Sequence, residues 1–181
     1  MRYKTSTFTP GLRLVLLAIL AMTACAMALP ALAQQSVGAS SKLPVPRFVS
    51  LRTDKVEVQR GPSKEHPVVW TFTRAGLPVE VTAEFDNWRR IRDADGSEGW
   101  VSQGRLSRRR TGLVAPWEKA KTFDVMTRPG AGEVKARVES GVLVSLKTCD
   151  GGWCRITVDD IDGFIKQEAL WGVYPGEKLP E

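Results

Sequence analysis

Residues 85–106 read Phe-Asp-Asn-Trp-Arg-Arg-Ile-Arg-Asp-Ala-Asp-Gly-Ser-Glu-Gly-Trp-Val-Ser-Gln-Gly-Arg-Leu, and this stretch decides the fold. Asp86-Asn87 makes a turn, and a short strand starts after it at Trp88. Asp95-Gly96 makes a second turn, because glycine supplies at little cost the positive φ that a tight hairpin needs. A second short strand follows at Trp100-Val101, and the polar residues Ser102 to Arg105 suit one tight helical turn before Leu106.

The stretch recurs at residues 150–170. Trp88 corresponds to Trp153, Ile91 to Ile156, Gly99-Trp100-Val101 to Gly163-Phe164-Ile165, and Leu106 to Leu170. The offset is 65 from Gly76 to Trp88 (141 − 76 and 153 − 88) and 64 at Gly99 (163 − 99). Such a repeat makes each half of the chain one structural unit.

Working outward, Val56 to Ser63 is an alternating strand that runs into a Gly-Pro loop, and the loop holds Lys64, Glu65, His66 and Pro67. Val68, Trp70 and Phe72 alternate with Val69, Thr71 and Thr73. Leu77, Val79, Val81, Ala83 and Phe85 then alternate with Pro, Glu, Thr and Glu, the period of a strand with one buried face. The second half follows suit, with Phe123 to Gly130 in place of Val56 to Ser63, and Val142, Val144 and Leu146 in place of Leu77, Val79 and Val81. The core positions expected from this register are Val79, Val81, Ile91 and Val101, with Val144, Leu146, Ile156 and Ile165 as counterparts. No segment carries a long helical period. Five or six short strands in about 60 residues suit a small β-barrel.

The N-terminal segment reads differently. Arg2, Lys4 and Arg13 precede an apolar run from Leu14 to Ala28, and Ala31-Leu32-Ala33 is a small-x-small site. This is the pattern of a secretory signal peptide over residues 1–33, cut between Ala33 and Gln34. An uncleaved anchor and lipidation at Cys25 stay open as alternatives. Residues 34–46, rich in Gln, Ser, Ala and Pro, read as a disordered leader.

Removing 33 residues from 181 leaves 148, and removing three of 26 basic residues leaves 23 − 20 = +3. That charge is too mild to argue for nucleic acid, and export argues against it as well. The mature chain carries no expected transmembrane span, and its location is periplasmic or secreted. Its two cysteines, Cys149 and Cys154, flank one Asp-Gly-Gly turn, which suggests a disulfide. A metal site would need more ligands than one histidine, His66, in the other half of the chain, so neither metal nor cofactor is expected.

Val-x-Val-x-x-Gly-Pro-Ser (56–63), Asn-Trp-x-x-Ile (87–91) and Asp-Gly-x-x-Gly-Trp-Val (95–101) resemble the bacterial SH3 family. The second repeat, with Trp153-Cys154-Arg155-Ile156 and the tail from Leu170 to Glu177, is similar to the second half of exported tandem-SH3 proteins of alphaproteobacteria. Arg128-Pro129-Gly130 departs from the Gly-Pro-Ser pattern. The resemblance implies an all-β chain of two tandem small SH3-like β-barrels, over residues 47–110 and 111–181. It also implies a binding module, often associated with the cell envelope, and no catalysis.

An inventory of reactive groups points the same way. Nucleophilic hydrolysis wants Cys or Ser beside a His base, and the single histidine lies in a Pro-flanked loop of the repeat that has no mature cysteine. Asp159-Asp160 and Asp93/Asp95 fall in expected turns and read as turn formers rather than a glycosidase dyad. Trp88, Arg90 and Arg92 share one strand face, and Trp153 shares one with Arg155. A ring beside guanidinium groups is a recognition surface for extended peptides or acidic groups, and burial of both tryptophans between the two barrels or under the leader is the alternative. The expected partner is an envelope peptide, a protein or peptidoglycan, with the Trp153 site the weaker. A regulatory or targeting subunit of an envelope hydrolase and a purely structural envelope protein are the alternatives.

The N-terminal pattern predicts that protein recovered from the envelope fraction starts at Gln34. Intact-mass measurement checks this, and a mass that retains Met1 or carries acyl chains on Cys25 overturns it.

Overall fold

The structure is a computed structural model that describes residues 36–180; the expected signal segment, with Cys25, Ala33 and Gln34, lies outside the described residues. Among the described residues no helix is long and apolar enough to cross a membrane. Strands β1 (Ser36–Val37) and β2 (Pro44–Val45) form a small hairpin. The first large sheet contains β3 (Arg47–Leu51), β4 (Val56–Gln59), β5 (Val68–Phe72), β6 (Pro78–Phe85), β7 (Trp88–Arg92), β8 (Glu98–Ser102) and β9 (Leu106–Ser107). The second contains β10 (Thr111–Val114), β11 (Thr122–Met126), β12 (Val134–Glu139), β13 (Leu143–Asp150), β14 (Trp153–Val158), β15 (Ile161–Lys166), β16 (Leu170–Trp171) and β17 (Lys178–Leu179).

The two sheets follow one plan. Their orders are β5-β4-β8-β7-β6-β3-β9 and β12-β11-β15-β14-β13-β10-β16, with β17 added on β13. Every ladder is antiparallel, and each sheet has bulges at matching places, after Val58 and Val125 and again after Val81 and Leu146. A single 3₁₀ turn follows β8 at Gln103–Arg105 and β15 at Gln167–Ala169, where the sequence placed one in the first repeat. The all-β class and the two-unit plan hold.

Each sheet wraps its own core. Leu51, Val56, Val58, Val79, Val81, Ile91, Val101 and Leu106 cluster in the first unit, drawn from six strands, so the sheet must curl to bring them together. Val144, Leu146, Ile156 and Ile165 occupy the matching positions of the second core. The Gly-aromatic motif has a steric cause. A Cβ at Gly99 would strike the Val58 side chain, and one at Gly163 would strike Val125 and the Met126 carbonyl. Glycine lets β8 cross β4, and β15 cross β11, at contact distance. The Cys149–Cys154 disulfide is present, between facing residues of the β13–β14 hairpin whose Cα atoms lie 4.1 Å apart.

Two expectations are corrected. Residues 36–46 are not a disordered leader. The Glu84 carboxylate accepts from the Ser40 and Ser41 amides, the Ser41 hydroxyl and Arg47, and these four donors tie the β1–β2 hairpin down. The period-two pattern of β6 does not run its full length. The bulge after Val81 breaks it, and Phe85 ends 54% exposed. On the nominally polar face of β6, Glu80 is 2% exposed, because Tyr174 of the second unit covers it and donates its hydroxyl to the carboxylate at 2.8 Å. The run Arg108 to Arg110 joins β9 to β10. Arg109 donates to Ser145 Oγ, and Arg110 donates to Glu177 and to the Gly172 carbonyl.

The joint has further ties. The Ser50 and Thr111 hydroxyls sit 2.6 Å apart, 1–2% exposed, and Thr111 Oγ1 lies 2.6 Å from the Gly76 carbonyl. Phe48 packs edge-on against Trp171 at 5.0 Å and at a tilt against Tyr174 at 4.7 Å.

Val81 is fully buried, so Val81→Asp puts an unpaired charge in the first core. The variant should lose several kcal/mol and its cooperative thermal transition, as judged by circular dichroism. An unchanged transition would mean that this core does not hold the unit together.

Candidate functional site

Trp88 opens β7 directly after the Asp86-Asn87 turn, in which Asp86 takes φ 45°. The turn is braced from inside by Arg89. This side chain is 2% exposed and is held by three hydrogen bonds: Nη1 donates to the Asp86 and Trp88 carbonyls at 2.8 Å, and Nη2 to Gln103 Oε1 at 2.8 Å. Its Nε lies 3.3 Å from Glu84 Oε1, and the Glu84 side chain has no exposed surface. Burial alone would push the Glu84 carboxyl up. The Ser41 hydroxyl and amide, with Arg47 and Arg89, outweigh it and hold the group down at about 2. Gln103 of the 3₁₀ turn donates its amide to the Asn87 carbonyl at 2.8 Å, so the turn before Trp88 and the turn after β8 are fastened together.

The half-buried Trp88 lines a groove of about 570 Å³ with Gln59, Val68 and Ser102. Its charged lining is Lys55, Lys64, Arg105 and Glu57, a balance of 3 − 1 = +2. None of those three cations ion-pairs among the described residues. Arg90 and Arg92 share the outer face of β7 with Trp88, as period two requires, but neither lines this groove. Arg90 pairs with Glu98 at 2.5 Å, and Arg92 pairs with Glu80. The structure brings Arg92 together with Trp153 instead, in a cleft between the two units.

Trp153 stands at the matching place of the second unit, after the Gly151-Gly152 turn, and Asp150 Oδ1 accepts from the Gly152 and Trp153 amides. Those two amides hold the Asp150 carboxyl below its ordinary value. Arg155 pairs with Asp162 at 2.9 Å. A groove of about 590 Å³ lies here too, lined by Trp153, Trp117, Phe123, Met126, Ala169 and others. It is the repeat counterpart of the first: Glu57, Gln59, Trp88, Ser102 and Arg105 correspond to Asp124, Met126, Trp153, Lys166 and Ala169. The chemistry has changed. Glu118, Asp124 and Glu168 against Lys166 leave a lining balance of 1 − 3 = −2.

Sequence reasoning missed Lys55, Lys64, Arg105 and Trp117. The first two lie in β4's approach and in a loop, and only folding brings them beside Trp88. Trp117 follows the joint and is 57% exposed. An exposed tryptophan has no periodic signal to betray it. Arg89 did have one: it falls on the core face of β7, and a hairpin closed by Asp86-Asn87 pairs it with Glu84.

The bacterial SH3 domain family matches residues 53–108 and 125–172, and the chain belongs to that family, one of binding modules rather than catalysts. No curated protein matches the chain. Among solved structures, the chain is similar to NlpC2 from Trichomonas vaginalis at 15% identity and a TM-score of 0.32, covering 70% of this chain and 48% of that one. NlpC1 from Trichomonas vaginalis is similar at 16% identity and a TM-score of 0.33, over 74% of this chain and 48% of that one. An NlpC/P60 family protein from Bacillus cereus ATCC 10987 is similar at 11% identity and a TM-score of 0.31, over 68% and 55%. The chain thus spans about half the length of these structures.

The Glu84 clasp gives a pH prediction. The folded carboxyl sits near 2 against an ordinary 4.5, so its stabilisation is complete above 4.5 and is lost as pH falls toward 2. Wild type should therefore exceed Glu84→Gln in thermal stability at neutral pH, with the gap shrinking below pH 4.5. Hydrogen exchange of residues 36–45 should speed up over the same range. A gap independent of pH contradicts the clasp.

Proposed function

We propose that this chain is an exported, non-catalytic tandem SH3-like module that binds a peptide, a protein or a peptidoglycan component of the cell envelope. Its principal site is the groove around Trp88. One observation carries this reading: a braced, half-buried ring stands beside Lys55, Lys64 and Arg105, none engaged in an ion pair among the described residues. A tryptophan offers stacking area at small entropic cost. Neighbouring ammonium and guanidinium groups favour carboxylates, such as those of wall stem peptides. We move the charged part of the site from Arg90 and Arg92 to these three residues, since these three line the groove with Trp88 and the two arginines do not. The disulfide is compatible with an extracytoplasmic location.

The test is retention on purified peptidoglycan and on envelope material. Trp88→Ala with Arg105→Ala should weaken retention at least about tenfold. Lys55→Glu with Lys64→Glu, two exposed positions, should do the same with an unchanged circular dichroism spectrum. Wild-type retention by the folded charge-reversal variant would refute the assignment.

A further inference from the structure

The groove of the second unit does not end at that unit. Trp117, Trp153, Lys166 and Glu168 line it and also line the cleft of about 620 Å³ between the two units. The two spaces therefore form one trough that meets over the Trp117 and Trp153 rings. Phe123 and Met126 line one end, and Phe48, Trp171 and Tyr174 line the other.

Two residues of the cleft wall carry polar atoms without partners. Gln167 is 4% exposed. Its Nε2 donates to the Tyr174 and Glu177 carbonyls, which fixes the orientation of the amide, and its Oε1 has no partner among the described residues. The Trp171 indole N–H is likewise buried and unpartnered there. A native wall seldom leaves a buried acceptor and a buried donor unmet.

Charge selects among peptides. The second groove has a lining balance of −2, where its repeat counterpart has +2. The wider chain carries the same contrast: residues 36–110 hold 14 basic and 9 acidic residues, and residues 111–181 hold 9 and 11. The acidic groups of the groove are held only by exposed pairs, Asp124 with Arg137, Glu118 with Lys121 and Glu168 with Lys166. Exposed pairs of this kind exchange partners at little cost. Two tryptophan rings beside carboxylates form a favourable seat for an ammonium or guanidinium group.

We propose that this trough binds an extended peptide bearing a basic side chain. The cation sits at Trp117 and Trp153 near Asp124 and Glu168, and the peptide backbone runs into the cleft past Gln167 and Trp171. This goes beyond the Trp88 site and rests only on the reading of the chain as a binding module. The two grooves then take ligand groups of opposite charge.

The experiment titrates the purified protein with a capped Gly-Lys peptide, the equivalent Gly-Glu peptide and an N-acetylglucosamine oligomer. Indole N–H resonances, assigned by single Trp→Phe variants, report the site. The Lys peptide should shift the Trp117, Trp153 and Trp171 signals, leave Trp88 unmoved, and weaken as salt rises. Asp124→Asn with Trp117→Ala, both solvent-facing, should weaken its binding about tenfold with the thermal transition unchanged. Shifts at Trp88 alone, equal shifts with the Glu peptide, shifts with the sugar alone, or none would overturn the proposal. Loss of envelope retention in the Trp88 groove variants is read independently, so either result can fail without the other.

Discussion

The buried pair of Glu84 and Arg89 is the constraint on which the first unit depends. A guanidinium that is 2% exposed demands a countercharge and hydrogen-bond acceptors, because an unpaired charge there is costly. The chain meets that demand with a carboxylate from the facing strand, two carbonyls of the Asp86-Asn87 turn, and Gln103 of the 3₁₀ turn. The carboxylate then has oxygen valence to spare, which Ser40, Ser41 and Arg47 fill. One ion pair thereby orders the N-terminal hairpin, sets the turn that presents Trp88, and ties that turn to the end of β8. Geometry at the groove is settled from beneath, by buried groups that do not line it.

Much of this was legible in the chain. Alternation placed Val79, Val81, Ile91 and Val101 in one core and their counterparts in the other, because each sheet buries one face against itself. The Asp-Gly and Asp-Asn turns and the Gly-aromatic pairs placed the hairpins, and the Cys149–Cys154 spacing placed the bridge. Failures arose where a second body intervenes. Glu80 looked solvent-facing because the repeat that covers it lies 94 residues away. The leader looked disordered because its partner, Glu84, is remote in sequence. The charges around Trp88 come from three separate segments, and local periodicity carries no information about which loops meet.

The repeat has kept its backbone and changed its surface. Bulges, crossing glycines and 3₁₀ turns recur at matching positions, since each answers a requirement of the curled sheet. Among the lining side chains, Ser102 gives way to Lys166, which changes the charge, and Arg105 gives way to Ala169, which packs with the second core. A fold fixed by interior sterics leaves its rims open to divergence.

The joint between the units has a consequence for valency. Only residues 108–110 separate β9 from β10, and hydroxyls, arginines and an aromatic cluster fasten the halves on either side. A flexible tether would let two sites sample many separations and reward any partner long enough to span them. This joint allows one separation. A partner that carries both recognition elements at that spacing gains a high effective concentration at the second site, and one with any other spacing gains nothing from it. On the two-groove proposal, the molecule would act in that respect as a gauge, sensitive to the distance between two chemical groups as well as to their identity.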